Sequence, residues 1–354
     1  MSEPRLVVHQ VLSGAGPVDA VTAQARGFRN LFSRWGWGGH DYAEHIDPRL
    51  NGGVRQLRHL SPGPEDVLLL HYSAYAPKLR AVLGLPNPKL LLSHNVTPAR
   101  WFWDYDPRTA VRCALGRRHL SSFVKGVQLA AGVSAYNAEE LRNAGAPQTT
   151  VIPLLFDESA WGKPGAEPSG PPTVLFVGRL TPHKRQDEVI RAFELYRRHR
   201  APDARLVLVG EPLNRPYLTA LGQLALDLCG EGVVSIESSL SPERLTERYR
   251  GAHVFLCLSE HEGFCLPVLE AYHFGVPVIA RPVGGVPEVA GDAALLVEDD
   301  DLGVVAELIH LAVTDAELRA ELRQRGRQRL RHFSAEHTAG ALRQALVSVA
   351  SAGA

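Results

Sequence analysis

The stretch SEHEGFCLPVLEAYHFGVPVIARPVGG, residues 259–285, decides the reading of this 354-residue chain. It sets two glutamates eight positions apart, Glu262 before a Gly-Phe pair and Glu270 three residues after Pro267. Proline suits the first helical position and Gly275 the stop, so the spacing predicts a helix between them. Glu262 then falls in the preceding loop and Glu270 in the first turn, so the two carboxylates do not stack on one helix face. A helix N-terminus offers unpaired N–H groups and partial positive charge, a ready place for an anion. A carboxylate beside it accepts hydroxyls while the N–H groups take phosphate. A ligand carrying both, such as a nucleotide-sugar, fits best.

Outward from this stretch, strand-like and helix-like runs alternate. RLVVHQVL (5–12) reads as a buried strand, followed by the turn SGAGP and a helix over 18–32. DVLLLHYS (66–73), KLLLSHN (89–95), QLAAGVSA (128–135) and TTVIPLLF (149–156) continue the pattern, with a helix over YNAEELRNAG. The alternation restarts with TVLFVG (173–178) and runs through RLVLVG, VVSIES, HVFLCLS, VPVIARP and AALLVE to a helical end. Such βα repetition predicts α/β architecture with parallel sheets and polar residues at strand C-termini. At 158–172 the pattern lapses into ESAWGKPGAEPSGPP, rich in Pro and Gly. Two doubly wound domains are therefore expected, facing one another across a cleft: 1–160 and 173–334, joined by a linker over 161–172. The final helix, about 335–354, is expected to return to the first domain.

A second segment, FVGRLTPHKRQDE (176–188), leaves a strand carrying Arg179 and Lys184 before a helix. Two cations on a turn at a strand C-terminus can clamp a diphosphate. Together, EGFCLPVLEA, the GVPVIA…GGVPE run at 275–288, FVGRLTPHK and RYRGAHVFLCLSEHEGF resemble the retaining nucleotide-sugar glycosyltransferases of family 4, which have the GT-B fold. The C-terminal half is covered nearly end to end. The N-terminal half resembles the family more loosely, through SGAG, LSHNVTP and VSAYNAEELRNAG.

The resemblance implies roles. Arg179 and Lys184 would hold the diphosphate, and Glu270 the ribose hydroxyls. Glu262 would hold donor-sugar hydroxyls, with backbone N–H groups of Gly263, Phe264 and Cys265 helping. Leu266 and Pro267 would sit near phosphate and ribose, and Gly14 and Gly16 would let the backbone approach the donor phosphates. His94 would be the active-site residue of the first domain. The expected catalytic residues are thus His94, Arg179, Lys184 and Glu262. Fixed cations and N–H groups can take over a metal's role, no Asp-x-Asp motif stands at a strand end, and EDDD (298–301) reads as a solvated cap. No metal and no cofactor are expected; the donor is a UDP-sugar, with a GDP-sugar second. The sequence departs from the family at Cys265, where glycine is usual, so this backbone is not expected to rely on a positive φ.

Composition sets the remaining bounds. The chain is 45% hydrophobic and 21% charged with zero net charge, which argues for globular domains and against nucleic acid. Residues 1–157 hold 17 Lys/Arg against 12 Asp/Glu, so the first half is the side suited to an anionic partner. Cys113, Cys229, Cys257 and Cys265 lack CxxC or metal-site spacing, and the N-terminus lacks a signal-peptide pattern, so a cytoplasmic setting is expected. Trp101, Trp103 and Trp35 are candidates for a carbohydrate or lipid-linked acceptor, and the basic run 108–125 for peripheral membrane contact. Two alternatives stay open: a nucleotide-sugar epimerase of the same architecture, and a catalytically inactive sugar-nucleotide-binding subunit.

Overall fold

The computed structural model describes residues 5–17 and 19–352. The first four residues, part of the stretch read against a signal peptide, and Val18, the expected helix start, lie outside the described residues. The chain divides into two compact units. One holds residues 1–100, 108–155 and 333–354; the other holds 101–107 and 156–332.

The first unit runs β1 (Val8–Ala15), α1 (Ala20–Arg34), β2 (Asp41–Ile46), β3 (Val54–Gln56), β4 (Val67–Tyr72), α2 (Leu79–Val82), β5 (Lys89–Ser93), α3 (Pro107–Val124), β6 (Leu129–Gly132), α4 (Ala135–Asn143) and β7 (Thr149–Val151). Its seven strands pair in the order β3-β2-β1-β4-β5-β6-β7, all parallel. Every residue of β4 is buried, as expected of a central parallel strand covered on both faces. The segment around Trp35 leads into β2, a strand not among the apolar runs read from the sequence. Its alternation is hidden because Asp41 and Glu44 are buried polar residues.

The second unit runs β8 (Thr173–Val177), α5 (Gln186–His199), β9 (Arg205–Val209), α6 (Arg215–Cys229), β10 (Val234–Glu237), α7 (Pro242–Arg250), β11 (Val254–Cys257), α8 (Leu266–Phe274), β12 (Val278–Ala280), α9 (Val286–Ala290), β13 (Ala294–Leu296), α10 (Leu302–Thr314) and α11 (Ala316–Leu330). Its six parallel strands order as β10-β9-β8-β11-β12-β13. Helix starts follow the caps in the sequence: Asn214, Ser241 and Asp301 each accept a backbone N–H of the first turn. Residues 161–172 carry no regular element and lie on this unit. Trp161 packs edge-on against Tyr249 and Phe274, and Glu167 pairs with Arg319 and Arg323. A final helix, α12 (Ala335–Ala352), belongs to the first unit and buries Leu342, Leu346 and Val349.

Candidate active site

Strand order locates the site within the second unit. The order reverses between β8 and β11, which are neighbours (Val174 opposite Val254), and ligands of open α/β sheets bind beyond the strand C-termini at such a switch point. The loops leaving these two strands carry Arg179 and Lys184 on one side and Glu262 and Cys265 on the other.

Lys184 ends a single 3-10 turn, Pro182–Lys184, and its Nζ donates to Glu262 Oε2 at 2.6 Å. The other oxygen of Glu262 accepts from Ser259 Oγ at 2.8 Å. Both expected donor ligands are thus brought together as an ion pair, with Glu262 buried. Arg179, two residues beyond β8, is exposed and has no side-chain partner among the described residues. Arg185 follows Lys184 in left-handed conformation, φ 50°, and pairs with Asp187, Glu188 and Glu260. This cluster anchors the cation-bearing turn to the start of α5 and to the loop after β11.

Cys265 corrects one expectation. It adopts φ 77° and ψ 63° just before α8, so the positive φ persists although the residue is not glycine. The glycines that follow explain how the loop is held. A Cβ on Gly284 would lie 2.0 Å from Glu262 O, and one on Gly285 would lie 2.3 Å from Gly263 O. Gly285 N donates to Glu262 O at 3.0 Å, so the GG pair is a floor on which residues 262–264 rest.

Helix α8 begins at Leu266, with Pro267 second, and it ends at Gly275 in left-handed conformation, φ 69°. Glu270 therefore stands in the second turn, not the first. It is buried, and Oε2 accepts a 2.5 Å bond from Tyr249 Oη. Burial pushes its carboxyl up to about 7, against the pull of the tyrosine bond. Tyr249 is itself buried and stacked on Phe274, so it holds one carboxylate oxygen in place.

In the first unit, Gly14 lies inside β1, opposite His45, rather than in the turn after it. The N–H of Gly16 already donates to Thr22 Oγ1, and the Asp19 carboxylate caps α1 by accepting from Thr22. This helix N-terminus is thus capped by its own carboxylate. A Cβ on Gly14 would meet only His45 O at 3.8 Å, so the protein itself does not demand glycine there.

His94 ends a buried relay that sequence reasoning does not reveal. The Gln10 amide donates to Ala25 O (2.8 Å) and to Asp41 Oδ1 (2.9 Å), which also accepts from Arg29. Both partners only accept here, so Gln10 Oε1 must face His71 Nε2 at 2.9 Å and accept its proton. His71 Nδ1 is then the acceptor of the 2.9 Å bond from His94 Nε2, and His94 presents Nδ1 as a lone pair. The two rings are nearly coplanar, 17° apart, with centres 5.1 Å from one another. Burial lowers His94 to about 3 and His71 well below the usual imidazole range, so neither carries charge near neutrality.

The aromatic segment divides. Trp103 is exposed, and Trp101 is half-buried. Phe102 meets His183 edge-on and Tyr105 meets Tyr217 edge-on, both within the second unit. Trp35 packs against Phe32, Trp37 and the Arg343 guanidinium, which makes it part of the first unit's packing rather than an open platform. On α3, Arg108, Arg112, Arg118 and Lys125 beyond its end are exposed, whereas Arg117 bonds Val96 O and Glu140. Asp301 of EDDD caps α10.

Several known proteins are similar to the chain. Residues 157–329 match the family described as glycosyl transferases group 1, nearly the whole of the second unit. The fold throughout is GT-B: the sucrose-phosphate synthase of Thermosynechococcus elongatus superposes with a TM-score of 0.80 over 98% of this chain and 100% of its own, at 18% identity. D-inositol 3-phosphate glycosyltransferase of Nocardia farcinica is 37% identical over 49% of this chain, which spans 40% of that relative's length. Alpha-maltose-1-phosphate synthase of Mycolicibacterium smegmatis is 29% identical over 84% of this chain and 85% of its own. Among the described residues, no helix is long and apolar enough to cross a membrane.

Proposed function

We propose that the protein is a retaining glycosyltransferase of family 4 that moves a sugar from a nucleoside diphosphate sugar to an acceptor hydroxyl without a metal ion. The observation that carries this reading is the meeting of Lys184, Glu262 and the start of α8 at the switch point of the second sheet. Arg179 and Lys184 stabilise the charge that grows on the leaving diphosphate. Glu262, held by Lys184 and Ser259, accepts donor-sugar hydroxyls. Glu270, with one oxygen taken by Tyr249, keeps the other for a ribose hydroxyl. His94, in a single neutral tautomer, accepts a sugar hydroxyl proton at Nδ1. The acceptor oxygen attacks from the face the diphosphate leaves, and a diphosphate oxygen takes its proton, so the configuration at the anomeric carbon is kept.

The donor is a UDP-sugar, with a GDP-sugar second. The names of the two relatives, D-inositol 3-phosphate glycosyltransferase and alpha-maltose-1-phosphate synthase, both contain a small phosphorylated molecule, and the positive balance of residues 1–157 suits an anion. A phosphorylated polyol or sugar is therefore the favoured acceptor over a lipid-linked one. The group 1 match weighs against an epimerase. A cytoplasmic setting remains part of this reading, with peripheral membrane contact confined to the exposed basic residues of 108–125.

The test is thermal stabilisation by UDP, GDP, ADP, dTDP and their sugars with EDTA present, on wild type and Glu270→Ala. A shift from one nucleotide, lost in the variant, supports the donor site and names the base. No shift from any nucleotide overturns the donor-site reading.

A further inference from the structure

Beside the Lys184–Glu262 pair lie two thiols that the proposed reaction does not use. Cys257 closes β11 and Cys265 precedes α8, and their sulfurs stand 3.8 Å apart. Cys257 Sγ is also 3.8 Å from Glu262 Oε1, and the three ligand atoms lie within 4.8 Å of one another. All three residues are buried. A zinc ion bound about 2.3 Å from two sulfurs at the tetrahedral angle sets those sulfurs about 3.8 Å apart. A carboxylate oxygen at about 2.1 Å completes an edge of about 3.6 Å to each sulfur. The two edges that meet at Cys257 Sγ, both 3.8 Å, are thus near the lengths a zinc tetrahedron requires, and the edge from Cys265 Sγ to the carboxylate, within 4.8 Å, needs to close by about 1 Å at most. Charge also balances: two thiolates, the Glu262 carboxylate, the Lys184 ammonium and a divalent ion sum to zero, which limits the penalty of burying them. Ser259 Oγ, bonded to Glu262 Oε1, supplies outer-shell support.

We propose that Cys257, Cys265 and Glu262 form a three-ligand site for a soft divalent cation such as Zn²⁺, with a fourth position open. Binding displaces the two thiol protons to solvent and forms two metal–sulfur bonds and one metal–oxygen bond, with no change of oxidation state. The ion is an inhibitor rather than a cofactor, because it claims the carboxylate that the donor sugar needs. That consequence rests on the transferase reading; the binding does not.

The experiment uses Co²⁺ and Zn²⁺ as probes on the full-length protein, purified with reductant and then freed of it. Wild type should take up one ion per chain, with thiolate-to-cobalt charge-transfer absorption that Zn²⁺ abolishes. Cys257→Ser and Cys265→Gly should each weaken uptake by at least about a hundredfold, since outer-shell partners alone are worth 10–100-fold. Glycine tolerates the φ of 77° at position 265, so that variant tests the ligand without forcing the loop. Absent uptake, or equal uptake in wild type and both variants, overturns the site. Thiols that react only after reduction would make the pair a disulfide and also overturn it. If metal binds as stated but does not lower turnover, the inhibitory consequence fails and the site stands.

Discussion

At the level of single residues, the two cations expected to clamp the donor stand in different surroundings. Arg179 is exposed and has no side-chain partner among the described residues, whereas Lys184 neutralises a buried carboxylate. Both Arg179→Ala and Lys184→Ala should lower turnover by about 10²–10³-fold, the scale for losing a transition-state donor. Only Lys184→Ala should also lower stability, by about 3 kcal/mol, because it strands Glu262 without its ion partner. Denaturant titration of the two variants separates the cases; equal stabilities would remove the structural part of the role. Glu270 makes a pH prediction. Its folded value of about 7 lies above its ordinary 4.5, so its contribution is fully present below about 4.5 and is lost as pH rises through 7. The stability of wild type relative to Glu270→Gln should therefore fall by about 3 kcal/mol between pH 4.5 and 8. A flat difference across that range would show the carboxyl to be solvated.

At the level of elements, adjacent strands and the loops between them hold the functional groups in register. The relay from Arg29 through Asp41, Gln10 and His71 to His94 crosses β1, β2, β4 and the end of β5. Gln10→Leu leaves the His71 N–H unpartnered and should cost about 1–3 kcal/mol. It also frees the tautomer of His94. Nitrogen chemical shifts should place the His94 proton on Nε2 in wild type and divide it between both nitrogens in the variant; the same single tautomer in both would sink the relay. Gly285→Ala removes no functional group but drives a methyl into the Gly263 carbonyl. It should lower stability by about 1–3 kcal/mol and reduce nucleotide binding, because the residue 262–264 loop must lift. Unchanged nucleotide affinity would mean that the loop does not contact the donor.

At the level of the whole molecule, the last helix serves the unit formed by the first part of the chain. Leu342 on α12 is fully buried in the first unit. Leu342→Ala should lower that unit's stability by about 2–5 kcal/mol. Hydrogen exchange should speed up in β4 and β5, against which α12 packs, more than in β8 and β11. Faster exchange confined to the second unit would contradict the division of the chain.

The sequence by itself determined the parallel α/β class, the two glutamates, the cation-bearing turn, and the helix between Pro267 and Gly275. Local rules govern these features: apolar runs of strand length, a proline near a helix start, and a glycine at its end. Tertiary structure alone decided the rest. Lys184 and Glu262 are 78 positions apart and meet only because β8 and β11 pair. Tyr249 reaches Glu270 through the packing of α7 on α8, and Cys257 reaches Cys265 across a loop whose course no spacing rule gives. Strand β2 escaped notice because its buried Asp41 and Glu44 accept from Gln10, Arg29 and Lys78, so its hydrophobic alternation is broken. Hydrogen bonds made far along the chain leave no periodic trace in it, and that is where sequence reading stops.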